Sequence, residues 1–196
     1  MDEKLGTRDR IVKVATVLFQ NKGYHATGLN EILRKSNAPK GSLYYYFPDG
    51  KEQLALEAIN QTKIFIEKTI MERLELIQDP AESIKNSIEE MADNLNVGED
   101  EKLSFRSTKK VSINLIAMET ATSNETLRKA CDSVFNTWQN VYAQKLIDGG
   151  FEKERAKNLS LIIQTMIEGA IIMSLTKKSD KPLIEIANQI PIIVTK

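Results

Sequence analysis

Between Gly23 and Leu54 the chain reads GYHATGLNEILRKSNAPKGSLYYYFPDGKEQL, and polar and aromatic groups crowd its second half. Lys40, Ser42, Tyr44, Tyr45 and Tyr46 bring an ammonium and several hydroxyls close together. Such groups donate to phosphate oxygens, and exposed aromatic rings meet thymine methyls. Gly41 has no side chain, so a duplex backbone can come close there. Thr27 precedes an apolar run, where a helix N-terminus attracts phosphate. Lys51 opens the next run and is placed to hold the far side of a groove. The candidate DNA contacts are therefore Thr27, Lys40, Gly41, Ser42, Tyr44, Tyr45, Tyr46 and Lys51.

These groups need a short, rigid carrier. At 100° per residue Leu43 and Phe47 share one helix face, which is expected to pack on Ile32 and Leu33. Gly41 and Tyr45 then point nearly opposite, flanked by Ser42, Tyr44 and Tyr46. Pro39 presets the first turn and pushes Ala38 into an extended conformation. Asn37 tolerates the left-handed backbone of a tight interhelix turn. A core stripe is the other reading of YYYF, but three consecutive tyrosines cannot all face one core, so at least one is exposed or at an interface. Upstream, Thr7 is read as the cap of a first helix burying Ile11, Val14, Ala15, Leu18 and Phe19, stopped by Asn21 to Gly23. A second helix follows Thr27 and buries Leu29, Ile32 and Leu33, and the third spans 39–47. Together they form a helix-turn-helix.

Helical spacing continues almost throughout, and strand alternation is nearly missing, so the fold class is all-α. No Gly or Pro interrupts Lys51 to Ile77, predicting one helix of roughly 40 Å at about 1.5 Å per residue. Pro80 opens a helix to about Leu95, and the charged stretch 96–110 reads as a mobile loop. Further helices are predicted over 111–122, 124–148 and 152–176. A last one starts near Pro182 and ends or kinks at Pro191. The expected domains are a helix-turn-helix DNA-binding domain, 1–50, and a helical effector-binding and dimerisation domain, 51–196.

Composition agrees with a soluble globular chain: 196 residues, 41% hydrophobic and 28% charged. Net charge is zero, which excludes a generic polyanion binder. Residues 1–50 carry eight basic and five acidic groups, +3, and the remainder nineteen and twenty-two, −3. A mildly basic head on a mildly acidic body fits a small DNA-contacting module. Cys131 stands alone and cannot form an intrachain disulfide, as expected in a reducing compartment. The charged start precedes no apolar leader core. Leu161 to Leu175, interrupted by Gln164, Thr165 and Glu168, is read as too short to span a membrane. The expected location is cytoplasmic, with no membrane partner.

The ordered series Gly23, Tyr24, Ala26, Thr27, Ile32, Ala38, Pro39, Lys40, Gly41, Ser42, Leu43, Tyr44, Phe47, Lys51, Glu52 and Leu54 resembles the TetR family of transcriptional regulators. The segments FPDGKEQL, TWQNVYAQKLIDGGF and MIEGAIIMSLT resemble its LmrA/YxaF-type branch. Asn37 and Tyr46 depart from the glycine and histidine common at those positions. The resemblance implies a repressor with a helical ligand-binding domain whose last two long helices pair with their copies in a four-helix bundle. The branch likeness further implies a small lipophilic or aromatic, flavonoid-like effector and control of an efflux or catabolic operon.

The residues of the body agree with that outline. The 152–176 stretch is apolar over more than one face, as a helix buried against several neighbours must be. Ile162, Met166, Ala170, Met173, Leu183, Ile186 and Ile190 are the candidate dimer interface; the alternative is an interior helix of a monomer. Phe65, Phe105, Met118, Phe135, Trp138, Tyr142, Gln164 and Glu168 are the candidate effector wall, apolar and aromatic with a few polar groups. Glu168, costly if unpaired in an apolar helix, is read as bonding a ligand, a partner subunit or an internal cation. The lone His25 excludes a histidine-based metal cage, GEDE at 98–101 lacks calcium-loop spacing, and no nucleophile or phosphate-loop motif occurs. No catalytic residue, metal or cofactor is expected. The partners expected are a double-stranded DNA operator, a small-molecule effector and a second copy of the chain. Two other readings stay open, a helical-bundle enzyme centred on Glu168 and a protein-interaction module that binds no DNA.

Overall fold

The computed structural model describes residues 6–95 and 113–195. Among these there is no strand. The helices are α1 (Thr7–Ala26), α2 (Leu29–Ser36), α3 (Lys40–Tyr46), α4 (Lys51–Glu75), α5 (Pro80–Asn94), α6 (Asn114–Thr120), α7 (Glu125–Asp148), α8 (Lys153–Lys177) and α9 (Lys181–Ile193). The expected loop 96–110, with Phe105 and the GEDE segment, lies outside the described residues, as do positions 111 and 112. The chain divides into two compact units, one drawn from residues 1–64 and 111–134, the other from 65–110 and 135–196. α4 and α7 contribute to both.

In the first unit, Ile11, Val12, Val14, Ala15, Leu18 and Phe19 bury one side of α1, with Ile32, Leu33, Leu43 and Phe47 also buried. Thr7 is not the cap of α1; Gly6 holds that place, and Thr7 accepts from the Arg10 guanidinium at 3.3 Å. The helical run is broken at Gly23, whose φ of 81° is a left-handed value open to glycine. Asn37, at φ 49°, ends α2 while the Ala38 N–H returns to the Leu33 carbonyl at 3.1 Å. That left-handed cap satisfies carbonyls otherwise orphaned at the helix end. Pro39 caps α3 from just outside its first turn.

The expected boundary at residue 50 falls inside this unit. No flexible linker separates head from body there: Leu54, Ala55, Ala58 and Ile59 on α4 are buried, Arg8 pairs with Glu57 at 3.1 Å, and the Gln20 amide donates to Thr62 at 3.1 Å.

In the second unit, Asp79 caps α5 by accepting from the Glu82 N–H at 3.0 Å, with Pro80 in the first turn where it loses no hydrogen bond. The Lys145 ammonium donates to the Leu74 and Ile77 carbonyls at 2.6 and 2.5 Å. It puts a cation at the negative end of α4. Gly149 packs against Pro80 so closely that a Cβ there would collide with the ring. Ile84, Ile88 and Ala92 of α5 are buried, as are Leu183, Ala187 and Ile190 of the contacting α9. α9 does not stop at Pro191 but runs through it to Ile193; in the last turn the missing N–H costs a single bond.

α8 buries Ala156, Leu159, Ile163, Ile167 and Ala170 while Leu161, Ile162, Ile172, Met173 and Leu175 stay exposed. Its eighteen-residue mean hydropathy reaches 1.6, so by length and composition it passes as a membrane span, contrary to expectation. Its apolar surface is divided, part buried against the rest of its unit and part exposed.

Candidate nucleic-acid interface

α3 is only seven residues long, and its inward face is set by Leu43 at 0% exposure, followed by the buried Phe47 just past its end. The Arg8 guanidinium lies 5.6 Å over the Phe47 ring, anchoring the end of α3 to α1. With that side fixed, the outward groups follow from helical geometry. Tyr45 is 80% exposed and Tyr44 51%. Lys40 and Gly41 are exposed, and Ser42 and Tyr46 are half-buried. No atom lies within 4 Å of where a Gly41 Cβ would stand. Tyr45 and Tyr46 meet edge to face with centroids 4.9 Å apart, which stiffens the exposed ring. The result is an outward ridge with an ammonium at one end and phenols along it.

The surrounding cations are mostly engaged. Glu31 accepts from Lys22 at 2.8 Å and Lys35 at 3.2 Å, which lowers its carboxyl pKa. Arg10 donates to the Ser36 carbonyl at 3.3 Å. The side chains of Lys40 and Arg34, both exposed, have no ion-pair or hydrogen-bond partner among the described residues. Arg34 was not singled out from sequence; its place in the last turn of α2, ahead of the Asn37 turn, was the available signal.

Two expected contacts are placed differently. Thr27 is fully buried, and its hydroxyl donates to the Gly23 carbonyl at 2.7 Å and the Leu18 carbonyl at 3.2 Å. It braces the α1–α2 corner and has no hydrogen left for phosphate. Lys51 is half-buried, with Nζ 4.6 Å over the Tyr24 ring and 3.3 Å from the His25 carbonyl. Burial lowers its pKa, against the raising effect of Glu119.

The effector candidates separate. Trp138, Tyr142 and Gln164 are buried in the second unit, with Phe135 and Glu168 half-buried. Phe135 and Trp138 stack edge to face at 6.1 Å. The Gln164 amide donates to Glu168 Oε1 at 2.5 Å, while Gln164 Oε1 is buried with no partner among the described residues. Burial, and secondarily Glu168, push the Tyr142 phenol far up, opposed by Arg73. Arg73 itself pairs with Glu90 at 3.1 Å. Tyr142, Gln164 and Glu168 thus form a polar seam inside the apolar body. Met118 is not with them: it lies in the first unit and is 72% exposed, because α6 buries Ile116 and Thr120 instead. Phe65, at the start of the second unit's share of α4, is also largely exposed.

The dimer candidates separate too. Ile162 and Met173 are exposed and Met166 and Ile186 half-buried, whereas Ala170, Leu183 and Ile190 are buried within the protomer. The last three fill the chain's own core, since the α8–α9 contact turns them inward. Between α8 and α9 an open groove of about 470 Å³ is lined by Met166, Gly169, Met173, Pro182 and Ile186, with Lys177, Lys181 and Glu185 at its polar margin.

Residues 11–58 match the tetR family of bacterial regulatory proteins, and residues 80–189 match the LmrA/YxaF-like transcriptional regulator C-terminal domain. YxaF of Bacillus subtilis (strain 168), an uncharacterized HTH-type transcriptional regulator, is 43% identical over 196 residues, covering 100% of this chain and 99% of that protein. The chain belongs to the TetR family. The HTH-type transcriptional regulator LmrA of the same organism is 43% identical over 185 residues, 94% of this chain and 95% of its own. A solved TetR regulator from Legionella pneumophila matches the fold with TM-score 0.80 at 20% identity, over 100% of both chains. Reduced NemR from E. coli gives 0.79 at 20% identity, over 97% of this chain and 98% of that one. These two likenesses bear on the fold alone. The TetR families and relatives matched are transcriptional regulators, not enzymes. The enzyme reading centred on Glu168 is thereby set aside, and the chain is a DNA-binding transcriptional regulator with a helix-turn-helix.

Proposed function

We propose that this TetR-family chain is a ligand-responsive repressor, a cytoplasmic homodimer that holds a double-stranded operator and releases it when a small molecule binds. The outward ridge of α3 carries the reading: Tyr45 at 80% exposure beside a bare Gly41 and an unpaired Lys40. Lys40 and Arg34 meet phosphates, Ser42, Tyr44 and Tyr46 add hydroxyl contacts, and Tyr45 reaches furthest into the major groove. Two such heads need centres about 34 Å apart, one turn of duplex. The exposed apolar groups of α8 and the groove beside α9 supply the dimer contact, in the way a bundle of long helices buries its remaining stripe.

The effector enters the body beside Trp138, Tyr142 and Gln164. A buried acceptor without a donor at Gln164 Oε1 favours a hydroxyl-bearing aromatic, flavonoid-like ligand, because an unmatched buried polar atom gains a partner on binding. Because α4 and α7 run on into the unit that holds the reading helix, ligand binding can bias head spacing. A coupling of about 1–3 kcal/mol suffices for a switch of this kind. The test is a mobility shift with DNA flanking the chain's own coding region, followed by titration with a polyhydroxylated flavone. Retardation relieved by the flavone is expected. A protein that leaves flanking DNA unretarded refutes the DNA reading, and retardation indifferent to flavones refutes the effector class.

A further inference from the structure

Residue His25 lies in the last turn of α1, past the kink at Gly23 and just before the corner to α2, and its backbone is gripped from two sides. Its N–H donates to Glu119 Oε2 of α6 at 3.1 Å, and its carbonyl accepts from the Lys51 ammonium of α4 at 3.3 Å. The carboxylate reaches that amide only because position 23 is glycine: any Cβ there would collide with it. The Gly23 carbonyl is held in turn by the buried Thr27 hydroxyl. Ser123 reinforces the grip, donating to the Glu119 carbonyl at 2.7 Å and lying 3.4 Å from His25 Nε2. One turn further, the Asn124 amide donates to Glu52 on the first turn of α4 at 2.6 Å. The α6 segment therefore fastens to the corner that feeds α2 and to the start of α4. Its own seat is firm, with Ile113, Ile116 and Thr120 buried.

We propose that Glu119 is a positioning residue for DNA recognition: from α6 it holds the His25 peptide, sets the angle at which α2 leaves the corner, and so sets the pose of α3. The proposal rests on the DNA reading above and adds the segment outside the helix-turn-helix that positions it. The physical reason is leverage. α2 and α3 are short and joined by a tight turn, so a small rotation of the peptide preceding α2 moves the exposed ridge as a block.

The experiment uses the full chain with Glu119→Ala, Glu119→Asp and Glu119→Gln. Gln keeps an acceptor oxygen at the same reach, and Asp keeps the charge but withdraws it by one methylene. Exchange of the His25 amide is expected to accelerate about tenfold or more in Ala and Asp, the scale of one lost charge-assisted hydrogen bond, and by a smaller factor in Gln, which keeps the bond without its charge. Affinity for the flanking duplex is expected to fall about tenfold in the same two variants with an unchanged salt slope, since the phosphate contacts are not removed. The thermal midpoint should hold within a few degrees. Unchanged His25 exchange in both Ala and Asp overturns the clasp. Altered exchange with wild-type DNA affinity overturns the positioning role. Should the wild type itself bind no DNA, the DNA reading fails and the positioning role with it, while His25 exchange still decides the clasp.

Discussion

Two hydroxyls, on Thr27 and Tyr45, lie within one helix-turn-helix and do opposite work. Leu43 and Phe47 fix the inner face of the α3 segment, so helical spacing alone sends Tyr45 outward, and it was legible before any coordinates. Thr27 was not, because what draws its hydroxyl inward is a pair of carbonyls, Leu18 and Gly23, brought to it by the kink at Gly23. Thr27→Val is therefore expected to cost about 1–2 kcal/mol of stability in a denaturant titration, with any DNA effect following from that loss. A direct phosphate contact would instead lower affinity at unchanged stability. Lys40 gives the converse test. Lys40→Ala removes an exposed, unpaired ammonium, so stability should stay within about 0.5 kcal/mol of wild type. Binding should weaken on every duplex sequence alike, and the salt slope should flatten by about one per head. An unchanged slope would remove Lys40 from the interface. The Glu119–His25 contact had no sequence signal beyond a glycine in the right place, since the two residues lie 94 positions apart.

Helix identities were readable from periodicity and punctuation, and helix ends less so. Asn37 takes the left-handed cap its side chain allows, and Pro80 opens α5 behind a capping Asp79. The division between the two compact units has no sequence signal because α4 has no break there: its first turns pack with α1 and its later ones belong to the other unit. α7 is divided in the same way, and its start is a place to probe. Hydrogen bonding from Arg128, aided by Lys129, lowers the Glu125 carboxyl from its usual 4.5 to about 2. A carboxylate lowered in the folded state stabilises above its ordinary pKa and loses that contribution as pH falls through the folded value. The first turn of α7 should accordingly hold above pH 4.5 and fray progressively toward about pH 2. Amide exchange of that turn should show the acid-dependent step, and Glu125→Gln should abolish it. Both side chains are exposed, so the effect stays local and the global midpoint should hardly register it. A step of equal size in the Gln variant would assign the fraying elsewhere.

Apolar periodicity cannot say whether a stripe fills its own protomer or a partner, and the candidate interface split on that point. Leu183 is 0% exposed and Ile162 49% in the isolated chain, though each sits in a regular apolar stripe. A carboxylate at each should therefore fail differently. Leu183→Glu places a charge in the protomer core and is expected to unfold the chain, seen as loss of helical circular dichroism. Ile162→Glu should leave the chain folded, since the side chain is exposed, and should place its charge in the proposed contact between copies. If that placement costs on the order of 3 kcal/mol, dimer affinity drops about a hundredfold, readable by sedimentation at micromolar concentration. The consequence for DNA follows from counting phosphates. The logarithmic salt slope of binding scales with the number neutralised, at about 0.9 per phosphate on duplex DNA. A dimer engages two half-sites and a monomer one, so Ile162→Glu should halve the slope as well as weaken binding, while Lys40→Ala in an intact dimer should flatten it by about two. A folded Ile162→Glu protein that still sediments as a dimer would move the contact off the outer face of α8. One that is monomeric yet retains the full slope would show that a single head makes every phosphate contact.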